Sequence, residues 1–419
     1  MTDLRTASTD HRGRTRVVVT GMGVKAPGGL TVDELWASLL AARPAAAPVT
    51  LFDASELSVG IACEVTGFEP TDYVGPKEVR RTDRVSLLGI AASSDALAAA
   101  TAAGPFAVEP LRCGVVAGSG IGGIRTLEDQ IVTYAHKGPS KVGPFLVPMM
   151  MANATAALVG IRNGFTGPNT AVSTACATGA NAIGEGARLV RDGMADVVVC
   201  GGTEACITTV TMAAFARMGA LSRNADPAAA SRPFDDDRDG FVMGEGAAFV
   251  VLERYDQAVA RGAEILGEVA GYGMTCDAHH ITAPVEDGSG AVAAIEMALA
   301  DAGLPASAIG HVNAHGTSTP HNDSAEAAAI AKVFGPGGVP VTSGKGVTGH
   351  LIGAAGAVEA VATLVAADRG VVPPTANHNT TDLPVDVVAG EARTIERAPA
   401  VSTSFAFGGH NVALVLAPV

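Results

Sequence analysis

Asn169-Thr170-Ala171-Val172-Ser173-Thr174-Ala175-Cys176-Ala177-Thr178-Gly179-Ala180-Asn181-Ala182-Ile183-Gly184-Glu185-Gly186, continuing to Arg191, is the stretch on which the fold turns. Pro168 precedes it, and the extended run Thr170 to Ser173 leads into a pattern that reads as helix. Cys176 sits at the junction. No charged side chain stands between Gly164 and Gly184, so burial is expected along the segment. A glycine inside a helix costs about 1 kcal/mol against alanine. Gly179, Gly184 and Gly186 are therefore better explained by a second backbone passing close by. A thiol at a helix N-terminus faces the positive end of the dipole and unpaired N–H donors, both of which favour thiolate. A cysteine on its own is most often an inert packing residue. The reactive reading needs partners elsewhere in the chain.

Composition narrows the search for them. The chain has 419 residues, 48% hydrophobic and 17% charged, with 51 glycines, which is enough for a large core in more than one unit. So few charges among so many small apolar residues predict several buried layers. A net charge of −14 argues against nucleic acid and anionic membranes as partners. The six cysteines have no paired metal-ligand spacing, so no metal is expected, and a reducing cytoplasm fits them better than a disulfide framework. Residues 1–15 read as a flexible tail without the apolar core of a signal peptide. Residues 142–161 lack charge, but Pro144, Pro148 and Asn153 interrupt them, so a buried protein segment is expected rather than a membrane span.

Outward from the cysteine helix, the chain reads as alternating strands and helices. Arg16 to Thr20 is a strand, Thr31 to Leu40 a helix, and helices follow over Arg84 to Ala100 and Ile124 to His136. Gly21-Met22-Gly23-Val24-Lys25-Ala26 and Gly118-Ser119-Gly120-Ile121-Gly122-Gly123 both match a relaxed dinucleotide fingerprint. The first is followed by Pro27-Gly28-Gly29, and the second lacks an acid about twenty residues on. Both are read as tight turns after buried strands. The loop Ser231 to Gly240 interleaves arginines with its aspartates, which points to internal salt bridges. Glu253 to Glu264 is polar and helical, a connector between halves 16–258 and 259–419. In the second half, His350 to Ala367 is again an Ala- and Gly-rich helix, whose one charge is Glu359. It ends in Asp368-Arg369-Gly370 before a strand, as the cysteine helix ends in Arg191-Asp192-Gly193. A duplicated α/β unit follows, its two small-residue helices packed together in a central layer.

Histidines are the natural partners of a reactive thiol. His315, in Asn313-Ala314-His315-Gly316-Thr317-Ser318-Thr319, and His350, in Lys345-Gly346-Val347-Thr348-Gly349-His350, both follow strands at glycine-containing turns, as Cys176 does. Groups at strand ends of α/β sheets converge readily. With these motifs and Phe405 through Asn411, the chain from Arg16 to Leu416 resembles the elongating β-ketoacyl-(acyl carrier protein) synthases of the thiolase-like superfamily, synthase II type, with fatty-acid and type II polyketide elongation both open.

The resemblance implies a five-layered αβαβα sandwich of two pseudo-duplicated halves. It implies that Cys176 takes the acyl group as a thioester, with the backbone N–H groups of Cys176 and Phe407 as oxyanion hole. His315 and His350, as neutral donors, would stabilise the enolate formed when malonyl on carrier protein loses CO2. Lys345, near an acid such as Glu326, would hold the histidine network. Thr317 and Thr319 match the pair that binds the phosphopantetheine arm, and Ile121 and Phe215 match the acyl-tunnel lining. No cofactor is implied beyond that arm. The implied partners are acyl carrier protein and a second subunit, identical or chain-length-factor-like. Lys77, Arg80, Arg81, Arg84, Lys137 and Lys141 form a candidate docking patch, with Lys77, Arg81 and Lys141 as its core. Two departures stand out: Gly219 where many relatives carry a docking arginine, and Ala406 in place of the glycine before the gating Phe407. Intact Cys176, His315, Lys345 and His350 favour a working condensing enzyme over an idle partner subunit, and the glycine loops leave a nicotinamide oxidoreductase as the rival from another class.

Overall fold

The structure, a computed structural model, describes residues 7–419. Eleven strands build its main sheet, beside two small two-stranded ones. The first half contributes β1 (Val17–Lys25), β2 (Cys113–Gly118), β3 (Asn169–Thr170), β4 (Val197–Glu204) and β5 (Gly246–Arg254). The second contributes β6 (Gly267–Cys276), β7 (His311–Asn313), β8 (Pro340–Thr342), β9 (Asp386–Val387), β10 (Ala400–Ala406) and β11 (His410–Ala417). Strand order in the first half is β1-β5-β4-β2-β3, and in the second β6-β11-β10-β7-β8-β9. In each half the strand second in that order is antiparallel to both neighbours, and the strands beyond run parallel to one another. The two halves therefore share one topology. They meet at a short antiparallel seam, Val18 opposite Glu268 and Val19 opposite Gly267.

Six helices complete the layers: α1 (Arg84–Ala100), α2 (Ala154–Asn163), α3 (Thr178–Arg191), α4 (Ser289–Ala302), α5 (Pro320–Phe334) and α6 (Ala355–Arg369). α1 and α2 cover the outer face of the first sheet. α4 covers that of the second, with α5 packed against it. α3 and α6 lie between the sheets and touch both. This is the five-layered sandwich. At the centre, a Cβ on Gly179 would lie 2.6 Å from the Ala357 nitrogen, and one on Gly356 would lie 2.8 Å from the Ala180 nitrogen. Each helix offers a Gly-Ala pair to the other, so the contact is itself two-fold.

The duplication extends to the outer layers and corrects one expectation. β1 runs straight through Gly21 and Gly23, so Gly21-Met22-Gly23 is not a turn. A Cβ at Gly21 would stand 2.0 Å from Ala96 O and one at Gly23 2.1 Å from Ala92 O. Gly271 and Gly273 on β6 repeat this against Ala298 O and Ala294 O, at 2.1 Å each. The glycines let a helix lie directly on a strand, which is why no side chain is tolerated.

Three further expectations change. The segment 7–15 of the anticipated flexible tail is fastened to the second half: Arg14 and Arg12 both pair with Asp301, at 2.8 and 3.3 Å; residues 1–6 lie outside the described residues. Residues 142–161 are broken at Met151–Asn153 and are buried within this chain only in part: Ala154, Ala156 and Val159 are in the core, whereas Val147 is 59% exposed and Ile161 76%. The uncharged run after Gly164 is likewise half exposed as far as Ala175, because β3 is a sheet edge. Among the described residues no helix is long and apolar enough to cross a membrane.

Candidate active site

α3 and α6 are each preceded by the same local device. Ala175 (φ 47°) opens a 3-10 turn, Ala175–Ala177, just before α3, and Ile352 (φ 47°) opens Ile352–Ala354 just before α6. Positive φ is unusual outside glycine and marks backbone held by its surroundings. Around Ala175, Thr178 Oγ1 accepts from the Thr174 N–H at 2.9 Å and donates to Ala175 O at 2.7 Å. The elbow raises Cys176 out of the helix start, and the crossing of α3 and α6 brings its sulfur to 3.1 Å from His350 Nε2. The Phe407 N–H also points at that sulfur.

The histidines are fixed from behind. Lys345 Nζ donates to His315 O at 2.5 Å, stands 3.3 Å from His315 Nδ1 and pairs with Glu359. The Ile352 N–H donates to His350 Nδ1 at 3.3 Å. With a donor facing each Nδ1, each ring carries its own proton on Nε2, turned toward the cavity. The rings stand edge to face, 5.3 Å apart. Burial first, then the Lys345 charge, holds both histidines well below the usual imidazole range, so they are neutral donors at physiological pH.

The same burial overturns one electrostatic expectation. It pushes the Cys176 thiol up to about 12, with Lys345 and the Phe407 N–H opposing and Glu204 and Glu359 reinforcing. The helix start does not produce a resting thiolate, because desolvation outweighs it. Sγ, Nδ1 or Nε2 of Cys176, His315 and His350 lie within 4.8 Å of one another, a spacing open to a metal ion. Ligating imidazoles normally donate their second nitrogen's proton to an acceptor. Here each Nδ1 faces a donor, which opposes that state. Beneath Lys345, Asn313 Oδ1 and Glu359 Oε2 have no hydrogen-bond partner and border a cavity of about 20 Å³ with Thr342 and Thr348, which suits one water or one hard cation.

A cavity of about 410 Å³ joins these groups to the surface. Cys176, His315, His350, Thr317, Thr319, Ile121, Phe215, Ala406 and Phe407 all line it, so these sequence-derived residues converge. Thr317 and Thr319 share a hydroxyl–hydroxyl bond of 2.8 Å. Lys345 and Glu326 lie outside the lining, both 1% exposed. Glu326 is not the acid beside Lys345: it accepts from the His315 and Gly316 N–H groups at 2.8 and 2.7 Å and from Thr403 Oγ1. The acid is Glu359, the single charge noted in the second apolar helix. Lys77, Arg80, Arg81, Lys137 and Lys141 are exposed outside the cavity lining, with Arg81 stacked on Phe145, whereas Arg84 is half-buried and paired with Glu245. Gly219 is the left-handed cap of helix Thr209–Met218. Sequence reasoning missed Glu204. Ser119 Oγ and the Gly120, Ile121 and Gly353 N–H groups all donate to it, so an internal carboxylate fills the glycine loop that resembled a phosphate site.

Comparison with known proteins agrees with this geometry. Residues 14–258 match the model of the beta-ketoacyl synthase N-terminal domain, and residues 266–379 that of its C-terminal domain. A 3-oxoacyl-[acyl-carrier-protein] synthase 2 of Synechocystis sp. is 47% identical over 407 residues, covering 95% of this chain and 97% of that protein. The solved ishigamide ketosynthase/chain length factor superposes with a TM-score of 0.89 at 35% identity, covering 97% of this chain and all of the other. A type II polyketide acyl-carrier protein in complex with its ketosynthase gives 0.89 at 29% identity, again over 97% and 100%.

Exposure and ionisation predict the order of thiol chemistry. Cys276 is the exposed one of six free cysteines, and Cys176 is buried and protonated. With iodoacetamide at neutral pH, peptide mapping should show Cys276 alkylated first with activity retained. Loss of activity should track Cys176 and accelerate as pH rises. Activity lost in step with Cys276 would contradict this.

Proposed function

The chain belongs to the β-ketoacyl synthase family and has the condensing activity of 3-oxoacyl-(acyl carrier protein) synthase II; from that premise we propose how its residues divide the work. Cys176 Sγ attacks the thioester carbonyl of an acyl-carrier substrate. The carbonyl oxygen settles against the Phe407 and Cys176 N–H groups, the carrier's C–S bond breaks, and the proton of the resting thiol passes to the departing pantetheine sulfur. Malonyl on carrier protein then enters beside Thr317 and Thr319. Its C–C bond to the carboxylate breaks, CO2 leaves, and the electron pair becomes an enolate whose oxygen the two Nε2–H donors of His315 and His350 stabilise. The enolate carbon attacks the acyl-Cys176 carbonyl, and the Cys176 thiolate leaves and regains a proton.

The observation that carries this division is a donor facing each Nδ1, Lys345 Nζ at His315 and the Ile352 N–H at His350, which leaves the protons of both neutral rings on Nε2 in a cluster within 4.8 Å of the sulfur. A general base for the thiol would need a free nitrogen lone pair there, and the tautomers present hydrogens instead. The glycine loops give no support to nicotinamide binding, one being strand and the other filled by Glu204. Identity of 47% to a synthase 2, against 35% to the ishigamide ketosynthase/chain length factor and 29% to the type II polyketide ketosynthase, favours fatty-acid-type elongation.

Two partners follow from the surface. Acyl carrier protein is read by Lys77, Arg80, Arg81, Lys137 and Lys141, exposed cations on a chain of charge −14. A second ketosynthase-type subunit covers the β3 edge and the exposed apolar side chains Ile131, Val132, Val147 and Ile161. Six free cysteines suit a reducing cytoplasm.

Cys176→Gln should still release CO2 from malonyl-carrier protein, while His315→Ala and His350→Ala lose it by about a hundredfold, the scale of a lost oxyanion donor. Histidine variants that decarboxylate normally would remove their assigned role. Reversing charge at Lys77 and Arg81 should raise KM for carrier-bound substrate severalfold and blunt its salt dependence, leaving kcat near that of the parent. An unchanged KM and salt profile would exclude this patch, and a light-scattering mass of one 41.8 kDa chain would exclude the second subunit as a copy of itself.

A further inference from the structure

We propose that Glu204 is a positioning residue for the condensation step: by holding the Ile352–Gly353 turn, it fixes the tautomer that makes His350 a donor to the substrate. The inference rests on the functional reading above and deepens it. Glu204 ends β4 at 0% exposure and takes hydrogen bonds from both halves of the molecule. Ser119 Oγ and the Ile121 N–H reach Oε1 at 2.8 and 3.4 Å, and the Gly120 and Gly353 N–H groups reach Oε2 at 2.8 and 3.1 Å. The loops it ties are in contact: a Cβ on Gly353 would stand 2.5 Å from the Gly120 nitrogen.

The coupling to chemistry runs through adjacent peptides. The Ile352 N–H is the donor that occupies His350 Nδ1, and Ile352 holds a φ of 47°, costly for a β-branched residue. The next N–H, of Gly353, ends on Glu204. Without that anchor the Gly353 peptide is held by packing against Gly120 and Gly202 alone, and Ile352 is freer to relax. Its N–H would then turn from the imidazole, and His350 could carry its proton on Nδ1. Nε2 would present a lone pair to the enolate oxygen, reversing an attraction into a repulsion. The acyl-transfer step uses Cys176 and the Phe407 N–H and does not depend on that proton. Burial pushes the Glu204 carboxyl up to about 7, and its four donors oppose that shift; the carboxylate accepts from all four, whereas a protonated acid or an amide must set a hydrogen against one of them. The duplication shows how specialised the position is. In the other half, the strand end equivalent to Glu204 is where β10 passes into Phe407, whose N–H faces Cys176.

Glu204→Gln, in the full-length enzyme, is the test, with three readouts: the His350 tautomer by NMR of 15N-histidine-labelled protein, the acylation rate of Cys176, and decarboxylation of malonyl-carrier protein. We expect His350 to leave the pure Nε2–H form, decarboxylation to fall about tenfold, and acylation to stay within about twofold. Decarboxylation and acylation falling together with the tautomer intact would show a merely structural role and overturn the proposal, as would no change in any readout. Should that variant fail to fold, Ser119→Ala removes a single donor; a decarboxylation fall of about threefold in the same pattern supports the proposal, and none contradicts it. The tautomer is read without substrate, so a parent enzyme that failed to condense carrier substrates would count against the functional reading and not against this one.

Discussion

Everything at this site depends on how closely α3 and α6 approach. Two helices bearing ordinary side chains pack with axes 8–10 Å apart. Here Gly179 and Ala180 face Ala357 and Gly356, and an added Cβ at either glycine would meet backbone within 2.8 Å. The helix starts therefore lie side by side, and so do the two elbows at Ala175 and Ile352. One elbow lifts the nucleophile. The other carries the N–H that orients His350. A duplicated fold has in this way been turned into an asymmetric site without breaking its symmetry in the core.

Low polarity around the crossing governs the protonation states. It keeps Cys176 a thiol and both histidines neutral, and it raises the Glu359 carboxyl despite the Lys345 ion pair. Lys345 is 1% exposed, and removing either member of a buried pair of this kind costs about 3–5 kcal/mol because the other charge is left uncompensated. What the pair supplies to chemistry is orientation: the same ammonium that neutralises Glu359 donates to the backbone and faces Nδ1 of His315. Two imidazoles held as donors, with no base for the thiol, make a site that stabilises an anion arriving with the substrate.

Much of this is legible in the sequence. The matched endings Arg191-Asp192-Gly193 and Asp368-Arg369-Gly370 exposed the duplication, and Cys176, His315, Lys345 and His350 stood at strand ends in distinctive motifs. The failures have physical causes. A Gly-x-Gly inside a strand that bears a helix looks the same in sequence as one in a turn, so Gly21 and Gly23 were misplaced. An absence of charge over residues 142–161, and again over 164–175, says that something covers these segments and not whether it belongs to the same chain. The cysteine's position promised a lowered thiol, and only the depth of burial shows desolvation winning. Glu326 and Glu359 are both acids in helices near the site; their sequence distances from Lys345 do not separate them, although a lone charge in an otherwise apolar helix was the available signal. Glu204 gave none, because its donors come from loops 84 and 149 residues away.

The central claim is that two neutral imidazole donors meet at one oxygen. A crystal structure of the enzyme, acylated on Cys176 and holding a pantetheine-linked malonyl amide that cannot decarboxylate, tests it directly. The account predicts the carbonyl oxygen next to the malonyl methylene at about 2.7–3.2 Å from both His315 Nε2 and His350 Nε2, with the acyl carbonyl at the Phe407 N–H. That oxygen bound by the Phe407 N–H, or by one histidine alone, would contradict it.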